Sequence, residues 1–128
     1  MNQRTNIASD APWEDIVGYS RAVRVGNTVE VTGTVATDDG QVVGAGDMYE
    51  QTRFALRKIE SILNEAGAQL SDVVRTRMFV TDISRWEEAG RAHREVFHDI
   101  RPATSMIEVS ALIAPEYLVE IEATAIIS

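Results

Sequence analysis

Apolar and polar positions alternate with a period of two over residues 73–80 and again over 118–127, the signature of strands that bury one side. Two shorter β-rich runs, 21–25 and 28–32, flank Gly26-Asn27 and read as a hairpin. The period then changes. Thr52, Ala55, Leu56, Ile59, Ile62, Leu63 and Ala66 recur at intervals of three and four, which is one apolar helical stripe. Asp47-Met48-Tyr49-Glu50 has capping-box spacing at its start, and Gly67 stops it. Ser84-Arg85-Trp86-Glu87 repeats the capping pattern and predicts a second helix to about His98, broken by Arg101-Pro102. A strand over 104–110 precedes the last one, across a loop around Ala114-Pro115. Residues 37–47 read as a loop with a short strand at 41–43, and residues 1–17 as an irregular leader with a turn at Asp10-Ala11-Pro12.

The predicted order is β-β-(β)-α-β-α-β-β, with no repeat or linker to divide it. It describes a single domain over residues 1–128, a two-layer α/β sandwich in which a mixed sheet carries two helices on one face. In the 73–80 strand, Val74, Thr76, Met78 and Val80 share one side, and Val73, Arg75, Arg77 and Phe79 share the other. The final strand divides into Val119, Ile121, Ala123 and Ala125 against Leu118, Glu120, Glu122, Thr124 and Ile126. The mixed sides together carry Glu30, Arg75, Arg77, Glu120 and Glu122 beside Phe79, Leu118 and Ile126. Two arrangements satisfy such a face: a wet surface on which cross-strand charges neutralise one another, or a sheet covered by further copies in a closed oligomer.

Composition narrows the chemistry. The 128 residues hold 12 Lys and Arg against 20 Asp and Glu, a formal net charge of −8 that repels phosphate backbones and anionic membranes. No nucleic-acid or membrane partner is expected. There is no cysteine, which excludes disulfides, thiolate metal sites and a cysteine nucleophile. His93 and His98 are the only histidines, so no metal site is expected. No apolar stretch resembles a signal peptide or a membrane span, and the expected location is the cytoplasm.

Six blocks in order carry a resemblance: Gly18-Tyr19-Ser20-Arg21-Ala22-Val23, Val31-Thr32-Gly33, Gln51-Thr52-Arg53-Phe54-Ala55-Leu56, Phe79-Val80-Thr81-Asp82, Arg101-Pro102-Ala103-Thr104-Ser105 and Val119-Glu120-Ile121-Glu122-Ala123. Over nearly the whole chain these resemble the RidA/YjgF family of reactive-intermediate deaminases. The resemblance implies a chorismate-mutase-like α/β fold, a homotrimer with its sheets forming a central barrel, and small-molecule clefts between subunits. It implies hydrolysis of an enamine or imine metabolite to a keto acid and ammonia, with no cofactor. Some relatives carry instead the label of endoribonuclease or translation inhibitor.

Carried over by motif, Glu120 is the carboxylate that positions water; Tyr19, Gly33, Ser105 and Met106 line the substrate pocket. Where the active deaminases have arginine after Pro-Ala, this chain has Thr104. Loss of that charge-assisted contact is worth about 1.5–3 kcal/mol if nothing replaces it, and an atypical substrate follows as the expectation. Arg101, Arg21 and Arg24 are the cations that could stand in, and His93 is a possible accessory group for proton transfer. Each has a structural alternative: a cross-strand ion pair to Arg75 or Arg77 for Glu120, a packed position for His93, solvated charge for the arginines. The alternative to an enzyme is a non-catalytic, ligand-binding trimer.

Overall fold

A computed structural model describes residues 3–128. The chain runs β1 (Arg4–Ile7), α1 (Pro12–Val17), β2 (Ala22–Val25), β3 (Thr28–Thr34), β4 (Thr37–Asp38), β5 (Gln41–Val42), α2 (Met48–Glu65), β6 (Val73–Val80), α3 (Trp86–Phe97), β7 (Ala103–Glu108) and β8 (Val119–Ile126). Six strands form one sheet in the order β1-β2-β3-β8-β6-β7; β4 and β5 make a separate small ribbon. Only β6 and β7 pair in parallel, because α3 provides the crossover between them. The remaining neighbours are antiparallel. This is the predicted mixed sheet with helices on one face.

The stripe of α2 supplies much of the core, with Ala55, Leu56, Ile59 and Leu63 buried against Val29, Val31, Met78, Val80, Ile121 and Ala123. Asp47 caps the helix by accepting the backbone N–H of Glu50 at 3.0 Å. Gly67 ends it at φ +88, a backbone angle that a residue with a Cβ rarely adopts. Arg24 reaches across to that end and donates to the Ala66 carbonyl at 2.7 Å.

The leader is not irregular. Arg4–Ile7 forms an edge strand on β2, and Pro12–Val17 is a short helix with Pro12 at its first turn. Met1 and Asn2, also assigned to the leader, lie outside the described residues. The strand escapes a hydrophobic pattern because only Ile7 of its four residues is buried, and the proline read as a turn signal opens a helix instead.

Two further expectations change. A register shift between Val73 and Arg75 turns Val73 into the core and Val74 out to solvent, so the alternation inferred for 73–80 holds only from Arg75 onward. The second helix is not capped by Ser84: Asp82 accepts from the Ser84 N–H at 3.0 Å over a 3-10 turn, and α3 proper begins at Trp86. Among the described residues no helix is long and apolar enough to cross a membrane.

Candidate active site

Antiparallel pairing of β3 with β8 breaks register between Val31 and Thr34, and the irregularity leaves Gly33 beneath the side chain of Glu120. The approach is so close that a Cβ on residue 33 would lie 2.0 Å from Glu120 Oε2 and 2.9 Å from its Cδ. Gly33 does not have a positive φ, so close approach, not backbone conformation, is what requires glycine there. Arg21 braces the same point, donating to the Gly33 carbonyl at 2.9 Å while its guanidinium lies 5.6 Å from the Tyr19 ring centroid. Its Nε is buried with no partner.

Tyr19, Arg21, Gly33 and Glu120 therefore form one cluster. Tyr19 also lines an open cavity of about 520 Å³ with Arg4, Glu14, Ser20 and Thr32. The Glu120 carboxyl is half-buried, and its pKa is raised by burial first and by neighbouring Glu122 second, with Arg21 opposing. It makes no ion pair among the described residues. Arg77 instead faces Glu122 at 4.0 Å, and Arg75 donates to Ser105 Oγ at 2.8 Å. The expected alternative for Glu120, a bridge to Arg75 or Arg77, is absent.

A second group gathers on the other face of the sheet, at its β7 edge. Thr104 pairs in register with Thr76, and their hydroxyl oxygens lie 2.7 Å apart. Thr76 is fully buried and also reaches His93 Nε2, at 2.8 Å. The His93 ring packs on Phe97 with 4.7 Å between centroids, and burial lowers its pKa, which favours the neutral imidazole. Thr104, His93, Phe97, Arg94, His98 and Arg101 surround a cavity of about 380 Å³. Arg101 holds a positive φ of 54° and donates through Nε to the His98 carbonyl at 3.0 Å.

The two groups do not meet within the chain. Glu120 is in register with Phe79 and Thr104 with Thr76; Phe79 and Thr76 are three residues apart on β6, hence on opposite faces. Ser105, one residue beyond Thr104, lies on the Arg75 side, whereas Met106 is partly buried against the core. Of the sequence-predicted residues, Tyr19, Gly33 and Glu120 converge; Thr104, His93 and Arg101 converge separately; Ser105 and Met106 join neither. Among the described residues no cluster of three or more His, Asp or Glu side chains is placed to hold a metal ion.

Sequence reasoning passed over Thr76 and Gln51. Gln51 is fully buried, donates to the carbonyls of Gly44 and Glu116, and accepts from the Leu118 N–H at 2.8 Å, which anchors the chain just before β8 and hence the approach to Glu120. Its polarity within an apolar helical stripe was the available signal.

The sequence model of the family described as Endoribonuclease L-PSP matches residues 9–127. The chain belongs to that family, the RidA/YjgF proteins. A crystal structure of a YjgF-family member from Mycobacterium tuberculosis superimposes with a TM-score of 0.89 at 55% identity, covering 98% of this chain and all of the other. An uncharacterised protein of Streptomyces coelicolor is 36% identical over 93% of this chain and 89% of its own length. The 3-aminoacrylate deaminase RutC of Acinetobacter baylyi is 34% identical over 84% of this chain and 85% of its own.

Proposed function

We propose that this protein is a hydrolase of small enamine or imine metabolites, working without a cofactor in clefts between copies of a homotrimer. The observation that carries the reading is the Glu120 carboxyl: half-buried, without an ion-pair partner among the described residues, seated over Gly33 and with its pKa raised by burial. A water beside it attacks the imine carbon while the carboxylate takes one of the water's protons. The Glu120 carboxyl returns that proton to the nitrogen, giving a carbinolamine; the same carboxylate then carries the hydroxyl proton to the nitrogen as the carbon–nitrogen bond breaks, the carbonyl forms, and ammonia leaves. Tyr19 and the Arg21-braced Gly33 carbonyl wall this half of the cleft.

The division of the candidate residues between two faces supports an assembly, since a neighbouring copy is needed to bring a Thr104 cavity opposite a Glu120 cluster. The exposed sheet side carries Arg75, Arg77 and Glu122 beside exposed Ile126, a surface with both apolar area and complementary charge. The name of the Acinetobacter relative, a deaminase of an enamine acid, points to the same reaction class. Thr104, in the place of the arginine expected from the resemblance, supplies one neutral hydrogen bond, which favours a substrate less dependent on a carboxylate anchor.

A second reading, a trimer that binds a metabolite without turning it over, is favoured by that same threonine. The family's endoribonuclease description gives a third, which the net charge of −8 opposes. The deciding assay generates 2-aminoacrylate with a dehydratase and follows keto-acid release. The hydrolase reading expects turnover by the wild type, loss in Glu120→Gln, and a gain of about tenfold or more in kcat/KM in Thr104→Arg from a restored charged contact. No turnover by either wild type or Thr104→Arg, with tight metabolite binding by thermal shift, would establish the binding protein instead.

A further inference from the structure

His93, Thr76 and Thr104 come from α3, β6 and β7 and form one hydrogen-bonded line, with oxygen-to-nitrogen and oxygen-to-oxygen separations of 2.8 and 2.7 Å. Its middle member is sealed from solvent, and Thr76 has a single hydroxyl proton to give. That proton goes to His93 or to Thr104, never to both. If His93 Nε2 is bare, Thr76 donates to it and accepts from Thr104, so Thr104 offers only lone pairs to the cavity. If Nε2 carries hydrogen, His93 donates to Thr76, Thr76 donates to Thr104, and the Thr104 O–H is free to donate into the cavity. The buried threonine thus makes the three side chains one unit with two directions.

The other polar walls decide which direction a ligand selects. Arg94 and Arg101 are donors only, and the Nε of Arg101 is already committed to the His98 carbonyl, which leaves its terminal nitrogens for the cavity. The positive charge of Arg94 and Arg101 at the cavity opposes an O–H aimed toward them, and an oxyanion held between them removes the opposition and accepts the Thr104 proton. Phe97 packs against the His93 ring, with 4.7 Å between centroids, and restricts its rotation.

We propose that His93 is a positioning residue that acts through Thr76 to orient the Thr104 hydroxyl, and that an oxyanion seated between Arg101 and Thr104 reverses the line so that His93 holds its proton at Nε2. The inference rests on the reading that the Thr104 cavity is one half of the working cleft. It assigns the donor that meets the ligand's oxyanion to a threonine backed by a histidine. No covalent bond is made or broken: one proton moves between the two ring nitrogens of His93 by exchange with solvent, and two hydroxyls rotate.

The test follows the ring nitrogens of His93 by two-bond nitrogen–proton NMR of the intact protein above pH 7, with pyruvate as the probe. Only His93 and His98 contribute signals, and His98→Asn assigns them. The expected result is a move of the wild-type His93 Nε2 resonance toward the protonated position as pyruvate saturates. Thr76→Val, which keeps the shape and removes the hydroxyl, should abolish that response, and Thr76→Ser should restore it. With 2-aminoacrylate as substrate, Thr76→Val should raise KM about tenfold with a smaller effect on kcat, and Thr76→Ser should recover the wild-type KM. His93 resonances indifferent to pyruvate in the wild type, or the same response in Thr76→Val, overturn the proposal. Should Thr76→Val not fold, the wild-type titration alone decides. A wild type that shows the reversal, when neither it nor Thr104→Arg turns over 2-aminoacrylate, keeps the line and sinks the hydrolase reading.

Discussion

Replacing Gly33 by alanine separates the site's geometry from its stability. The new Cβ would stand 2.0 Å from Glu120 Oε2, about 1.5 Å short of ordinary contact. The obstacle is the far end of a flexible side chain, so the carboxyl swings aside at a cost of roughly 0.5–1.5 kcal/mol in rotamer strain. Removing a glycine from the unfolded chain returns about 0.4–1 kcal/mol where φ is compatible, as it is at residue 33. The terms nearly cancel, and the melting temperature should move by only a few degrees. Catalysis has no such compensation. A carboxylate displaced by more than an ångström from its water loses the proximity on which proton transfer depends, and turnover should fall by about a hundredfold. Keto-acid release and thermal unfolding measured on the same preparation of Gly33→Ala make the comparison. Wild-type turnover in a well-folded Gly33→Ala protein would refute the placement of Glu120 in the mechanism; a destabilisation of several kcal/mol would show that the carboxyl is rigidly held, contrary to the argument.

Glu120→Gln should also raise the melting temperature near pH 8. Burial and Glu122 raise the folded-state pKa above the ordinary 4.5, so the folded protein binds the proton more readily than the unfolded chain. Wild-type stability from this group therefore rises as pH falls through the raised folded value toward 4.5, and the advantage of the glutamine should shrink over that window; a gap that widens on acidification would contradict the sign. Gln51→Leu strips partners from two carbonyls and one N–H and should cost roughly 3 kcal/mol or more by urea denaturation. A loss below 1 kcal/mol would mean that the loops before α2 and β8 re-form their bonds elsewhere.

Local rules made much of the fold readable before any coordinates. Asp47 and Gly67 bound α2 by capping chemistry that acts within a few residues, and the Gly26-Asn27 turn closes its hairpin for the same reason. What escaped was decided at a distance. Val74 faces out because of a register shift against β8, and nothing within 73–80 encodes a misfit with a strand so far along the chain. Arg4–Ile7 becomes a strand because β2 offers it an edge, not through its own apolar content. The candidate residues could be named from the matched blocks, but their division between two faces of the sheet could not. Whether Glu120 and Thr104 share a face depends on how β6 is registered against both β7 and β8, which only the assembled sheet defines. Thr76 shares an otherwise apolar strand side, and its link to His93 and Thr104 depends on elements distant in the chain.

The order of strands has a consequence for how the molecule is made. β8, the last of the six to leave the ribosome, is inserted between β3 and β6 at the centre of the sheet. Until it emerges, β1-β2-β3 and β6-β7 are separate ribbons, each with a naked backbone edge and an apolar side including Val29 and Val31 on one, Met78 and Val80 on the other. The nascent chain carries the first sticky half through most of its synthesis and the second from Glu108 onward, and the closing step joins β3 to β8 across most of the sequence, a slow kind of pairing. A stop codon just after Leu118 would leave two ribbons with nothing between them, and such a product belongs to the cell's chaperones and proteases.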